Sequence, residues 1–369
     1  MYSRRGRTKF GLCGKARMAT KKSRVLVALS GGVDSSTAAA LLTEAKLECA
    51  AAFMITNECY HGALASAQNV AKKLGMELHV LDLRAEFEGI LDYFCSEYSR
   101  GRTPNPCVVC NRRIKFGRLW EFAREIGAEF LSTGHYARVI ANNDGDIGLY
   151  EGVDALKDQS YALSMLDRNV LGHVILPMGE HTKEQVRRMA SRFALDTEQR
   201  GESQEICFIP DNDYAAVLEQ RCGDVVRAGE IVDSCGTVLG EHRGVYRYTI
   251  GQRRGLGVAM GEPYYVVKID AQTNTVTLGP KRQIKHRRLY ASGANWLIDE
   301  PRGQFRARVK IRYNDKGAPA TVWPKNSGAV VDFDEPNLAI TPGQLAVFYV
   351  EDAAGDRVAG GAWIEEATD

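Results

Sequence analysis

Residues 24–36 read Arg24-Val25-Leu26-Val27-Ala28-Leu29-Ser30-Gly31-Gly32-Val33-Asp34-Ser35-Ser36, and residues 37–46 continue as an Ala- and Leu-rich stretch. A short β-branched apolar run, two glycines among hydroxyl side chains and then helix formers predict strand, turn and helix in succession. The pattern recurs downstream. Strands are expected at 49–54, 77–83 and 129–133, alternating with helices at 63–74, 87–98 and 112–126. Such alternation implies parallel βαβ units in a sheet covered on both faces, an α/β fold class.

Helical patterning returns at 183–193 and 214–220. Beyond about residue 223 the texture changes to short β-rich runs at 264–269, 275–278, 305–313 and 345–350, separated by Gly, Pro, Asn and Asp turns. That spacing predicts one or two small antiparallel sheets or barrels. The expected organisation is a basic extension at 1–23, an α/β domain at 24–210 and β-rich segments at 211–280 and 281–369.

Composition narrows the class. Of 369 residues, 44% are hydrophobic and 25% charged, which excludes collagen-like, coiled-coil and low-complexity chains. No stretch approaches the ~18 apolar residues of a bilayer span, so no membrane segment is expected. The formal charge of +2 conceals a partition: residues 1–24 hold nine basic and no acidic side chains, 25–241 hold 21 against 32, 242–313 hold 15 against 4, and 314–369 hold 3 against 10. Two readings of the tail stand, an organellar targeting sequence or a disordered extension ahead of a start at Met18. The basic band is either a nucleic-acid surface or a solvated face, and its Tyr246, Tyr248 and Tyr313 either stack on bases or pack. Nine unevenly spaced cysteines in a chain this large point to reduced thiols in a cytosol.

Two segments carry chemistry. Residues 30–36 lack the Gly-Lys-Ser/Thr of a Walker A loop, yet two glycines, three serines and a new helix N-terminus suit a phosphate, although glycine turns and serine caps are also ordinary structure. The second is Gly101-Arg102-Thr103-Pro104-Asn105-Pro106-Cys107-Val108-Val109-Cys110-Asn111. Its prolines fix an extended loop, and its two thiols start a helix whose dipole, with Arg112 and Arg113, is expected to favour a thiolate. The Cys-x-x-Cys spacing indicates redox or metal chemistry. Cys207, between Ile206 and Phe208, reads by spacing as a core thiol.

Together these strings resemble the tRNA-uridine 2-sulfurtransferases, the tRNA-specific 2-thiouridylase family of the ATP-pyrophosphatase superfamily. The resemblance rests on residues 30–36, 102–116, Thr133-Gly134-His135-Tyr136, Lys157-Asp158-Gln159-Ser160-Tyr161, Ile206-Cys207-Phe208-Ile209, residues 251–257 and Thr341-Pro342-Gly343-Gln344. It implies that 24–210 is a nucleotide-binding (PP-loop) α/β domain, 211–280 a small mainly-β central domain and 281–369 a C-terminal β-barrel domain. The enzyme implied is cytoplasmic and replaces O2 of the wobble uridine of tRNA by sulfur, consuming ATP with Mg²⁺ and drawing on a persulfide carrier or cysteine desulfurase as partner. By matching positions, Ala28, Leu29, Ser30, Gly31, Gly32, Val33, Asp34, Ser35, Ser36, Met54 and Gly134 would contact ATP, with Asp34 also catalytic. Cys110 would be the nucleophile and Cys207 the persulfide carrier. Asn105, Pro106 and Cys107 would border the target base, and His135, Lys157, Asp158, Gln159, Arg312, Tyr313 and Gln344 would contact tRNA.

Many members of that family carry Asp where this chain has Cys107. A thiol is a far weaker acid, ~8.5 against ~3.9, and cannot take over a carboxylate's protonation role. The change leaves two routes open: Cys107, Cys110 and Cys207 as ligands of a [4Fe-4S] cluster that delivers sulfide, or a Cys110/Cys207 persulfide route with Cys107 a spare thiol. Two other functions share the phosphate loop, an amide-forming adenylating ligase and a non-catalytic RNA-binding protein.

Overall fold

Strand β1 (Arg24–Ala28) leads into α1 (Val33–Glu44), and the alternation continues through β2 (Glu48–Ile55), α2 (His61–Leu74), β3 (Leu78–Asp82) and α3 (Arg84–Ser99). These elements belong to a computed structural model that describes residues 23–58, 60–142, 144–195, 207–209, 213–223, 226–258 and 261–369. The basic extension up to residue 22 and the expected boundary at 210 and 211 lie outside the described residues.

After α3 the chain forms α4 (Pro106–Cys110), a π-helical segment (Asn111–Arg118) and α5 (Leu119–Glu125), then β4 (Phe130–Ser132). A hairpin, β5 (Ala137–Ala141) and β6 (Ile147–Glu151), and two single-turn helices, α6 (Ser160–Leu163) and α7 (Arg168–Leu171), precede β7 (Val174–Ile175) and α8 (Lys183–Arg192). The first sheet has the order β3-β2-β1-β4-β7, with every pairing parallel. Alternation along β1 splits its side chains between two cores. Val25 and Val27 pack with Phe53 and Val70, while Leu26 and Ala28 pack with Leu119, Leu131 and Leu163.

The second core extends beyond this sheet, because Leu345, Val347, Tyr349 and Val358 of the C-terminal domain belong to it. Helix α9 (Tyr214–Arg221) leads to a sheet of β8 (Gly229–Asp233), β9 (Val238–His242), β10 (Tyr264–Asp270) and β11 (Thr275–Pro280) in the order β10-β11-β8-β9. The C-terminal strands are β12 (Lys285–Trp296), β13 (Phe305–Lys310), β14 (Ala318–Lys325), β15 (Gly328–Leu338), β16 (Leu345–Asp352) and β17 (Gly355–Thr368). They run β12-β15-β14-β13-β16-β17, and a β12–β17 pairing closes the barrel around Val309, Val331, Phe333, Phe348 and Ile364. The β5–β6 hairpin from the first domain joins that sheet where Tyr150 pairs with Arg357. Among the described residues no helix is long and apolar enough to cross a membrane.

One expectation fails. Cys95 on α3 and Cys222 just after α9 form a disulfide, Cα atoms 6.3 Å apart, rather than two free thiols. The physical reason is packing: Phe94, Tyr98, Ala215 and Leu218 share one apolar cluster that draws the two helices together.

Candidate active site

In a parallel sheet, ligands bind at the carboxyl edge where the strand order reverses, here between β1 and β4. Both loops that leave this edge meet there. A Cβ placed on Gly134 would lie 2.7 Å from the Ser35 amide nitrogen, so only glycine lets residues 133–136 lie against the loop at 30–36. Gly31 has φ +78, and a Cβ there would come within 2.4 Å of the Ala63 carbonyl, whereas the Gly31 carbonyl accepts from Ser66 at 2.9 Å. Ser30 and Ser35 hydroxyls lie 3.0 Å apart, and Ser35 and Ser36 donate to the Gly32 carbonyl at 3.2 and 2.9 Å. The N-cap of α1 is Gly32, with no side-chain cap, which leaves the first-turn amides to an external anion.

Asp34, in the first turn of α1, is held by two residues. Lys183 Nζ lies 2.7 and 2.8 Å from its two oxygens, and the Tyr136 hydroxyl donates at 2.7 Å. Lys183 escaped the sequence reading, because 149 residues separate it from Asp34. A clue was present in Thr182, which caps α8 reciprocally with Gln185 and fixes the lysine at the first helical position. Met54 is half-buried near the end of β2 and packs with both the sheet core and the cluster under α3 and α4.

The Cys-x-x-Cys segment starts α4 with Pro106 at its first turn, placing Cys107 second and Cys110 at the end. Phe208 and Cys110 pack on the same cluster of Leu83, Phe87, Ile90 and Val109, which brings the Cys207 segment beside α4. Cys207 is exposed, not the core thiol its spacing suggests. Cys107 is exposed as well and Cys110 half-buried, yet the protein packed around each thiol removes enough of its hydration to raise all three, Cys110 from 9.0 to about 11. Arg112 and Arg113 do not lower them as expected. The opposing charge is Lys115, which acts on Cys107, Cys110 and Cys207 alike, and the negative charge of Cys207 in turn raises Cys107 and Cys110. Lys115 follows Cys110 by five residues, the hydrogen-bond spacing of the π-helix that begins at Asn111, which favours the same side of the helix as Cys110.

A [4Fe-4S] cluster needs three thiolates converging on one body. Among the described residues no three His, Cys, Asp or Glu side chains are gathered to hold a metal ion.

The barrel completes the site. Thr103 donates its amide to the Pro342 carbonyl at 3.0 Å, and Gln344 donates its side-chain amide to the Thr103 and Pro104 carbonyls at 3.1 Å each. Arg102 pairs with Glu97 at 2.7 Å and with Glu365 of β17. Asn105 donates its amide to the Tyr93 hydroxyl at 3.3 Å, and Pro106 is buried behind it. Tyr313 is 41% exposed, with its ring 6.3 Å from that of Tyr161. Burial of its hydroxyl end, Asp158 and the charge of Cys107 push that hydroxyl up to about 12.

Residues expected to contact RNA divide into two groups. Arg312 is exposed next to Tyr313. His135 is buried with Nδ1 2.7 Å from the Thr133 hydroxyl, and burial with Lys115 nearby holds its pKa well below 6.5. Asp158 is buried and accepts from the Gly152 and Ser160 amides and the Ser160 hydroxyl at 2.9, 3.1 and 2.8 Å. Gln159 accepts from the Tyr136 amide at 3.0 Å, and the half-buried Lys157 donates its own amide to the Asp154 carbonyl.

A parallel sheet with a glycine loop and an uncapped helix N-terminus at its switch point defines an α/β protein of the nucleotide-binding HUP class. The family described as "tRNA methyl transferase HUP domain" matches residues 23–211, its PRC-barrel domain matches 216–280, and an aminomethyltransferase beta-barrel domain matches 286–364. The chain is 47% identical to the tRNA-specific 2-thiouridylase MnmA of Carboxydothermus hydrogenoformans, covering 94% of this chain and 98% of that one. It is 46% identical to that of Syntrophotalea carbinolica (94% and 100%) and 44% identical to that of Geobacter metallireducens (94% and 98%). The chain belongs to the tRNA-specific 2-thiouridylase family.

Proposed function

We propose that this protein is a tRNA-uridine 2-sulfurtransferase that adenylates O2 of the wobble uridine and replaces it with sulfur carried on cysteine. The observation that carries the reading is that a glycine loop at residues 30–36 and the cysteine helix α4 are attached to the same sheet: Gly134 lies against Ser35, and Met54 near the end of β2 packs on the cluster that holds Cys110 and Phe208. ATP enters as its Mg²⁺ complex, and the loop amides with Ser30, Ser35 and Ser36 hold its phosphates.

Uridine O2 attacks the α-phosphorus, an O–P bond forms, and pyrophosphate leaves with the electron pair of the broken bond. The terminal sulfur of a Cys207 persulfide then adds to C2, and AMP departs. Cys110 thiolate attacks the Cys207 sulfur, which frees 2-thiouridine and leaves a Cys110–Cys207 disulfide for an external thiol to reduce. Exposure of Cys207 suits reception of sulfur from a carrier protein. Tyr313 and Arg312, both exposed, suit stacking and phosphate contact by RNA. Every sulfur-transfer step runs through cysteine sulfur, and none is routed through iron.

Mass spectrometry of nucleosides from tRNA incubated with the protein, ATP and a persulfide donor tests the proposal. Expected is 2-thiouridine with AMP and pyrophosphate formed in equal amounts, from protein that contains no iron. Failure to form it under both aerobic persulfide and anaerobic sulfide conditions overturns the reading. Turnover of ATP to AMP and pyrophosphate that survives Cys110→Ser, with no 2-thiouridine formed by either protein, would instead indicate the amide-forming ligase.

A further inference from the structure

The loop at residues 30–36 carries one charged side chain, Asp34. A carboxylate in the first turn of an anion cradle repels the ligand that the cradle's amides attract, and by several-fold in affinity unless its charge is neutralised. Here it is neutralised by Lys183, whose Nζ bridges both carboxylate oxygens at 2.7 and 2.8 Å, and Tyr136 adds its hydroxyl at 2.7 Å.

The position of this lysine is built. Thr182 and Gln185 cap α8 reciprocally, the Lys183 amide donates to Asp154 at 2.9 Å, and the side chain is 14% exposed with Nζ 5.6 Å from the centre of the Tyr136 ring. An ammonium has three N–H donors. Two are directed at Asp34, and among the described residues the third has no acceptor within hydrogen-bond distance. A cation so held, partly dry and at the mouth of a phosphate loop, has its charge and one donor available to a bound polyphosphate.

We infer that Lys183 is a catalytic residue of the ATP site: it neutralises Asp34 in the empty protein and donates to the phosphates of bound ATP. It then stabilises the charge that pyrophosphate takes with it as the bond from the α-phosphorus breaks and the bond to the attacking oxygen forms. This rests on the reading of residues 30–36 as an ATP loop, and it extends that site to α8, which the loop motif does not include.

Calorimetric binding of ATP to the full-length protein, in EDTA and without tRNA, tests it on a cycle of Asp34→Asn, Lys183→Met and the double variant. Loss of one charge-assisted contact lowers affinity about tenfold to a hundredfold, so Lys183→Met is expected to fall by that factor. Relative to Asp34→Asn, the double variant is expected to fall similarly. Lys183→Gln, which retains a donor for Asp34, repeats the comparison in a variant that preserves the local contact, and Lys183→Arg is expected to recover most of the affinity. If the double variant binds ATP as tightly as Asp34→Asn, the lysine serves only to neutralise the carboxylate and the inference is overturned. Unchanged affinity in both Lys183→Met and Lys183→Gln overturns it as well. Lysine-dependent ATP binding by protein that makes no 2-thiouridine supports the inference while defeating the proposed function.

Discussion

Gln344, in the turn before β16, donates its side-chain amide to the carbonyls of both Thr103 and Pro104, so a residue of the barrel sets the path of the loop that carries Cys107 and Cys110. Its neighbour Gly343 has φ +88, and a Cβ there would lie 2.7 Å from the Thr103 carbonyl. Gly343→Ala is expected to cost about 1 to 3 kcal/mol of local strain and displace the loop. Single-turnover thiolation should slow at least tenfold while ATP affinity stays within twofold, and equal loss of both would refute a positioning role.

Sulfur transfer should depend steeply on pH. With Cys110 raised to about 11, its thiolate grows about tenfold per pH unit between 7 and 9, and single-turnover rates should follow. Lys115→Met removes the one cation opposing that shift, so the rate should fall about threefold to tenfold at pH 8 and the profile move to higher pH. A profile flat from pH 7 to 9 in the wild type would sink this account. The raised thiol also bears on stability: its contribution is complete below pH 9.0 and is lost as pH rises towards about 11.

Lys310 of β13 lies 10% exposed between the first domain and the barrel, 2.7 Å from Glu151 and 3.5 Å from Asp158. Removing one member of a buried ion cluster leaves charge unpaired, and Lys310→Met is expected to destabilise the protein by about 3 kcal/mol. Chemical denaturation measures this directly. Adding Glu151→Gln should return part of the loss, whereas additive losses would mean that the pair is not coupled.

His135 is kept neutral by burial, with Lys115 adding to the effect. Its folded pKa is below the unfolded value of 6.5, so its neutral form costs nothing above that pH. As pH falls below 6.5 the unfolded chain takes up a proton that the folded one refuses, and stability declines. The melting temperature should drop between pH 7 and 5, and the drop should be smaller in His135→Asn; identical slopes would exclude His135 as its source.

Much of this architecture was legible in local pattern. The β-branched apolar run around Val25 and Val27, the glycines at 31 and 32 and the Cys107-x-x-Cys110 spacing are short-range signals, and each pointed to its element. The long-range partners were not legible, because contacts such as Asp34 with Lys183 or Thr103 with Gln344 arise from folding and leave no periodic trace. Thiol chemistry was misread for the same kind of reason. A helix expected over 112–126 puts Arg112 and Arg113 nearest Cys110, but a π-helical turn over Asn111–Arg118 substitutes Lys115.

By itself, then, the sequence determined a parallel α/β domain with a phosphate-type loop, a β-rich remainder and the thiols available for sulfur chemistry. Tertiary structure alone decided which charges face those groups: Lys183 on Asp34, Lys115 on three cysteines, Gln344 on the cysteine loop. The reason is physical. Backbone periodicity reports which faces are buried, whereas electrostatic partnership depends on distances that only the packed sheet, helix and barrel establish.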